Sequence, residues 1–255
     1  MLKKRVIPVL LLREDRLYKT VNFDNMRDVG SPKTAVKIYE SQEADELVFL
    51  NIRPKELPFE KLVEWTNIIS QQCVMPLAVG GGIQTYEEAK TLYDNGADKV
   101  LLNTINYETT SVLEKIAAVY GLQSTIIGID VKRENASSDY QLYSHSGTQQ
   151  QSRTLEEHMK ICEKAGGGEF LVQSIDRDGT MQGLDIELGR LASQYTRRPV
   201  VLAGGAGNYA HLEEAFANSN ISGIGCASIF HFSDSSPLRA SAYLANAGFP
   251  IKKVS

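Results

Sequence analysis

The chain carries one pattern twice. PLAVGGGIQTY, starting at Pro76, aligns with PVVLAGGAGNY, starting at Pro199. At the same offset of 123 positions, DELVFL from Asp45 aligns with GEFLVQ from Gly168. The starts of the copies also match, VIPVLLLR from Val6 against TIIGIDVK from Thr125. In that last pairing Leu11 stands where the second copy has Asp130. The length of 255 residues suits one large α/β barrel or two small domains. No Pro/Ser-rich linker divides the copies, so a single domain over 1–255 is expected, with half-barrels at about 1–122 and 123–255.

Strand-like and helix-like stretches alternate through both copies. Short β-branched runs bounded by turn residues predict eight buried parallel strands, at 6–12, 47–51, 77–79, 99–102, 124–129, 169–172, 200–202 and 223–225. Helix starts lie between them. Pro32 follows Ser31 and Pro237 follows Ser236, which places proline in the first turn behind a capping serine. Thr85 with Glu88, and Thr154 with Glu157, have capping-box spacing. Eight β/α units fit an α/β fold of the (β/α)8 barrel type. An open doubly wound sheet is the rival, and the twofold repeat, four units per half, favours closure. Two longer polar connections, 13–31 and 132–153, fall at equivalent places on the face where barrels carry active sites.

Charge and cysteine usage narrow the partners. A net charge of −4 gives no reason to expect nucleic acid or an anionic membrane. Cys73, Cys162 and Cys226 form no metal-ligand spacing, and three scattered cysteines fit a reducing cytoplasm. No metal and no cofactor are expected. Lys3, Lys4 and Arg5 before an apolar run imitate a secretory signal, but charge closes the run at Arg13 without a small-residue cleavage site, so it reads as a buried strand. No segment approaches the ~20 apolar residues a membrane span requires.

The chemistry follows from what lies just past each strand. Gly80, Gly81 and Gly82 follow the third strand, and Gly204 and Gly205 follow the seventh. Asn103 and Thr104 follow the fourth, Ala227 and Ser228 the eighth, and Asp178, Gly179 and Thr180 the sixth. Glycine lets backbone N–H groups approach a phosphate. The third and fourth strands can build one anion site, and the seventh and eighth its twin, with the sixth leaning toward the second. Two such sites suit a long small molecule phosphorylated at both ends. The bland alternative is that these glycines only serve tight turns. Asp130, ending the fifth strand, is the candidate acid/base group, against a plain salt bridge to Lys132, Arg133 or Lys19. Lys19 reads either as a phosphate ligand or as a solvated loop lysine. Arg5, Glu46, Lys99 and Glu169 stand where strands begin. On charge placement alone they read as a stabilising ring at the barrel bottom.

These residues together resemble the HisF family, the cyclase subunit of imidazole glycerol phosphate synthase, over essentially the whole chain. The resemblance rests on Lys19 with NFDNMRD from Asn22, DELVF from Asp45, VGGGI from Val79, GADKV from Gly96, IDVKR from Ile129, SIDRDGT from Ser174 and SIFHF from Ser228. It implies a bis-phosphate substrate across the mouth and a heterodimer with a HisH-type glutaminase on the strand-start face. It also implies ammonia passage along the barrel axis, Arg5, Glu46, Lys99 and Glu169 as the gate of that tunnel, and Asp98 at the partner interface. One departure is as specific as the match. The family has an aspartate at the end of the first strand, and Leu11 has no proton to exchange. Asn51, Thr20 and Gln173 are further departures at the mouth. Some HisF/HisH-like pairs are thought to supply ammonia to a separate sugar amidotransferase in surface-polysaccharide synthesis. The expected function is accordingly that of an ammonia-conducting subunit for acetamidino-sugar synthesis. The alternative is the cyclase of histidine biosynthesis.

Overall fold

The computed structural model describes residues 3–135 and 138–251. The first half runs β1 (Arg5–Arg13), β2 (Arg16–Val21), β3 (Asp24–Gly30), α1 (Pro32–Ser41), β4 (Leu47–Asn51) and α2 (Phe59–Ser70). It continues through β5 (Leu77–Gly80), α3 (Tyr86–Asp94), β6 (Lys99–Leu102), α4 (Ile105–Glu108) and α5 (Ser111–Tyr120). The second half repeats that order. It runs β7 (Thr125–Lys132), β8 (Gln141–Ser144), β9 (Gln149–Gln150), α6 (Leu155–Lys164), β10 (Glu169–Ser174) and α7 (Ile186–Tyr195). It ends with β11 (Val200–Ala203), α8 (Tyr209–Asn218), β12 (Gly223–Cys226), α9 (Ser228–His231) and α10 (Pro237–Asn246). A short 3-10 turn, Leu122–Ser124, joins the halves.

Strands β1, β4, β5, β6, β7, β10, β11 and β12 pair in parallel in that order, and β12 pairs back to β1. The ring is a closed (β/α)8 barrel. Helix-facing positions such as Val6, Leu10, Phe49, Leu77, Ile127, Phe170 and Leu202 are buried in one large cluster under the helices. Alternate positions point inward and form a second core of Ile7, Val9, Leu11, Val48, Ala78, Leu101, Ile126, Leu171, Val201 and Ala203. Burial on both faces is why the strands read as near-continuous apolar runs.

The two long connections depart from the loop expectation. Each forms a hairpin that continues a barrel strand beyond the mouth. β2 pairs antiparallel with β1, Leu11 opposite Tyr18, and β3 pairs with β2. β8 pairs with β7, Asp130 opposite Tyr143, and β9 pairs with β8. Asn22 and Phe23 both take positive φ, 53° and 63°, at the first tip, the twist that two-residue hairpins use. Lys19 therefore lies on a strand, β2. Both capping boxes are formed, at Thr85 and Thr154. Ser236 caps α10, whereas the Ser31 side chain makes no capping bond. Ser124 belongs to the 3-10 turn, and the fifth barrel strand starts at Thr125.

Candidate active site

At the strand-start end, Arg5, Glu46, Lys99 and Glu169 close a ring of ion pairs. Arg5 Nη1 lies 2.7 Å from Glu46 Oε2, and its Nη2 pairs with Glu169 Oε1. Lys99 Nζ lies 2.7 Å from Glu46 Oε1 and 2.9 Å from Glu169 Oε2. Each side chain thus holds two partners of opposite sign. Burial opposes charge on Glu169, yet the hydrogen bond and charge of Arg5, joined by Lys99, keep its carboxyl below the usual range. Burial likewise works against Arg5 and Lys99, and the two carboxylates outweigh it. Asp98 is exposed beside this ring and accepts a hydrogen bond from Leu77 N at 2.8 Å.

The opposite end is the mouth. Asp130 projects into it from the end of β7 and accepts a hydrogen bond from Asn103 Nδ2 at 2.9 Å. Burial among protein atoms pushes its carboxyl up to about 7; the Asn103 amide pulls down and the charge of Asp178 adds to the rise. Three strands separate β7 from β1 on either side of the ring, so Leu11 faces Asp130 across the axis. Leu11 is 7% exposed and belongs to the inner apolar core. Asp130 is therefore in contact with Asn103, and the salt-bridge alternative to Lys132, Arg133 or Lys19 is not formed among the described ion pairs.

Lys19 is neither solvated nor free. It is 4% exposed, and its Nζ donates to the Thr20 carbonyl at 2.6 Å and to Asp178 Oδ1 at 2.7 Å. Thr20 Oγ1 donates to Asp178 Oδ2 at 2.6 Å. Asp178 thus serves as the anchor of the β2–β3 hairpin, both of its carboxylate oxygens accepting from that hairpin. Thr180 spends its proton on the Arg177 carbonyl, 2.9 Å. Asn103 gives one amide N–H to Asp130, and its Oδ1 is buried without a partner.

The glycine loops repeat the same backbone. Gly81 and Gly204 have φ of 103° and 96°, and Gly82 and Gly205 have 85° and 101°. A Cβ at Gly81 would lie 2.0 Å from the Asn51 carbonyl oxygen, and one at Gly205 2.1 Å from that of Gly183. Close backbone packing alone therefore requires glycine there, whatever the loops bind. In the second half a cleft of about 380 Å³, open mouth included, is lined by Leu11, Lys19, Gln173, Asp178, Gly179, Gly204, Gly205, Ala227 and Ser228. Ser228 Oγ is buried there without a hydrogen-bond partner.

A family model described as "Histidine biosynthesis protein" matches residues 5–236. Curated relatives align from end to end. One, from Chlorobium phaeobacteroides, is named imidazole glycerol phosphate synthase subunit HisF and is 37% identical over 252 residues, covering 99% of this chain and 100% of the relative. Relatives of the same name from Prosthecochloris aestuarii and Chlorobaculum parvum are 37% and 38% identical at the same coverage. The chain belongs to the HisF family.

Within this HisF-family barrel, the structure gathers eight of the residues expected at the site into the β10–β11–β12 cleft: Leu11, Lys19, Asp178, Gly179, Gly204, Gly205, Ala227 and Ser228. Gly81, Gly82, Asn103 and Thr104 lie at the other half, with Asp130 joined to them through Asn103. Sequence reasoning missed the tip of the β8–β9 hairpin. His145 N donates to Thr104 Oγ1 at 3.2 Å, and Ser146 Oγ donates to the Ile52 carbonyl at 3.0 Å. The one signal was Gly147 in an otherwise polar run. His231, quoted only within the SIFHF stretch, has its imidazole pushed down to about 4 by burial and by the charge of Lys19. No helix among the described residues is long and apolar enough to cross a membrane.

Proposed function

We propose that this chain is the barrel subunit of a glutamine-dependent complex of the imidazole glycerol phosphate synthase type. It receives ammonia from a HisH-type glutaminase docked on the strand-start face and passes it along the axis to the mouth. The observation that carries the reading is the closed Arg5–Glu46–Lys99–Glu169 ring in a chain related to HisF subunits over its whole length. Buried and half-buried charges are expensive to desolvate, and here they sit where a neutral molecule entering the axis would have to pass. Co-expression with the glutaminase tests it. The expected results are a stable heterodimer and faster glutamine hydrolysis than by the glutaminase alone; absence of both overturns the reading.

The names of the relatives support imidazole glycerol phosphate formation as the reaction at the mouth. There Asp130 does the proton work. With its carboxyl titrating at about 7, it is ionised and protonated in comparable amounts at neutrality, the poise a general acid/base needs. Asn103 fixes its orientation. A second reading is favoured by Leu11, which leaves the facing position without a proton carrier. In that reading the barrel hands ammonia on to a sugar amidotransferase for acetamidino-sugar synthesis. A positioned acid/base group contributes roughly 10²–10⁴-fold in rate. Turnover of the histidine-pathway substrate with ammonium salts, near ordinary rates of about 1–10³ per second, would settle for the cyclase. Glutaminase stimulation without that turnover would select the second reading.

A further inference from the structure

The floor of the mouth is chemically one-sided. Asn103, Asp130 and Gln173 stand at the ends of three neighbouring strands, β6, β7 and β10. Across the axis, the neighbouring strands β1 and β4 carry Leu11 and Leu50 in register, both packed in the inner apolar core. Gln173 is the register partner of Asp130. Both side chains point inward, because side chains alternate along a strand and Ile126 and Leu171 of the same two strands face the inner core. Paired strands lie about 4.8 Å apart, so the carboxyl and the amide stand side by side.

The protein itself makes little use of the Gln173 amide. The residue is 9% exposed. Its one hydrogen bond among the described residues runs from Nε2 to Asp178 Oδ1 at 3.4 Å, and that oxygen already holds Lys19 Nζ at 2.7 Å. A second amide proton and Oε1 are left over. Asp130 is placed alike: Asn103 binds its Oδ2, and its Oδ1 accepts nothing among the described residues. A buried amide short of partners costs stability that an apolar side chain of the same volume would not. The cleft beside it is where a ligand offsets that cost. Val9, Leu11 and Ala203 make an apolar surface there, and Gln173 borders it. Of the other polar side chains on the cleft, Lys19 and Asp178 are paired with each other.

We infer that Gln173 determines which ligand the mouth accepts, by pairing with an amide group of that ligand. Gln173 Nε2 donates to the ligand's amide oxygen, and the ionised Asp130 accepts the ligand's N–H at Oδ1. The apolar part next to the amide, a methyl group or a heteroaromatic face, lies on Leu11 and Val9. A donor beside an acceptor matches an amide, which presents the reverse pair. The inference rests on the proposed function for placing the ligand at the mouth, and adds the residue that recognises it. Two sources share this chemistry, a carboxamide on a heterocycle and the acetamido group of an amino sugar.

Isothermal titration of the full chain tests it with two matched pairs of probes. One pair is aminoimidazole carboxamide ribotide and the same ribotide without its carboxamide. The other is UDP-N-acetylglucosamine and UDP-glucose. In one pair the amide-bearing member should bind roughly tenfold tighter or more, as for one well-made hydrogen bond in a buried place. Preference in the first pair assigns the heterocycle as the source, and preference in the second the amino sugar. Gln173→Leu should cut that ratio roughly tenfold, and Gln173→Met, of the same length and without a donor, serves if the leucine variant does not fold. No preference in either pair, or a preference that both variants retain, overturns the inference. The titrations contain neither glutamine nor glutaminase. A chain that stimulates the glutaminase yet shows no amide preference therefore keeps the proposed function and loses this inference.

Discussion

Asp130 titrates at about 7 because folding removes its carboxyl from water. Between its ordinary value of 3.8 and about 7, the folded chain holds a proton there that the unfolded chain has lost. Asp130 therefore favours folding at low pH, and that contribution is lost as pH rises through 7. His158 and His231 run the opposite way. Burial, joined by Arg153 for one and Lys19 for the other, pushes both to about 4, so they favour folding above 6.5 and lose that contribution as pH falls toward 4. Asp130→Asn should thus lose stability more steeply than the parent as pH drops from 7 to 5, read from urea midpoints; parallel curves would mean that Asp130 titrates as an ordinary carboxylate. Tyr107 gives a second test. Its hydroxyl is buried without a partner while its ring stacks on His158 at 4.0 Å. Tyr107→Phe keeps the stack and removes the orphaned group, so stability should rise by about 1 kcal/mol. At this scale the facing positions of Asp130 and Leu11 were legible, because both lie near strand ends in a repeat. The pairing of Lys19 with Asp178 was not, because 159 positions separate them.

The barrel strands and most helix starts were readable because their signals are local: apolar runs of strand length and Thr-x-x-Glu spacing. Thr154 both accepts from Glu157 N and has its own N–H capped by the Glu157 carboxylate. Thr154→Ala should cost about 1 kcal/mol, whereas Ser31→Ala should cost only a few tenths, since Ser31 makes no capping bond. Equal losses in chemical denaturation would contradict this. The hairpins escaped reading because their order is set elsewhere. β2 buries Leu17, Lys19 and Thr20 together, a pattern without clean alternation, and Lys19 is acceptable there only because Asp178 reaches it from beyond β10. In the same way the backbone oxygen that makes glycine obligatory at position 81 comes from Asn51, on the neighbouring strand.

Closure of the barrel joins the halves at two seams, β6 to β7 and β12 to β1. The ion-pair ring spans both halves as well, with Arg5, Glu46 and Lys99 from the first and Glu169 from the second. Glu169→Gln would leave Arg5 and Lys99 each one carboxylate short. The expected loss is about 3 kcal/mol, the lower end for a broken buried pair, because both cations keep partial access to water. An unchanged denaturation midpoint would show that the ring carries no stability. Restoring the facing acid with Leu11→Asp should cost stability, since it puts a carboxyl into the inner core, while raising any trace cyclase turnover measured with ammonium salts. The hairpins also decide how the molecule meets its own kind. A closed ring has no unpaired strand, so the free sheet edges among the described residues are β3 and β9. β9 is two residues long, and β3 carries Asp24, Arg27 and Asp28, with Asp28 tied to Arg16. Short or charged edges are poor templates for another strand, so the ribbons that reach out over the mouth do so without inviting edge-to-edge aggregation.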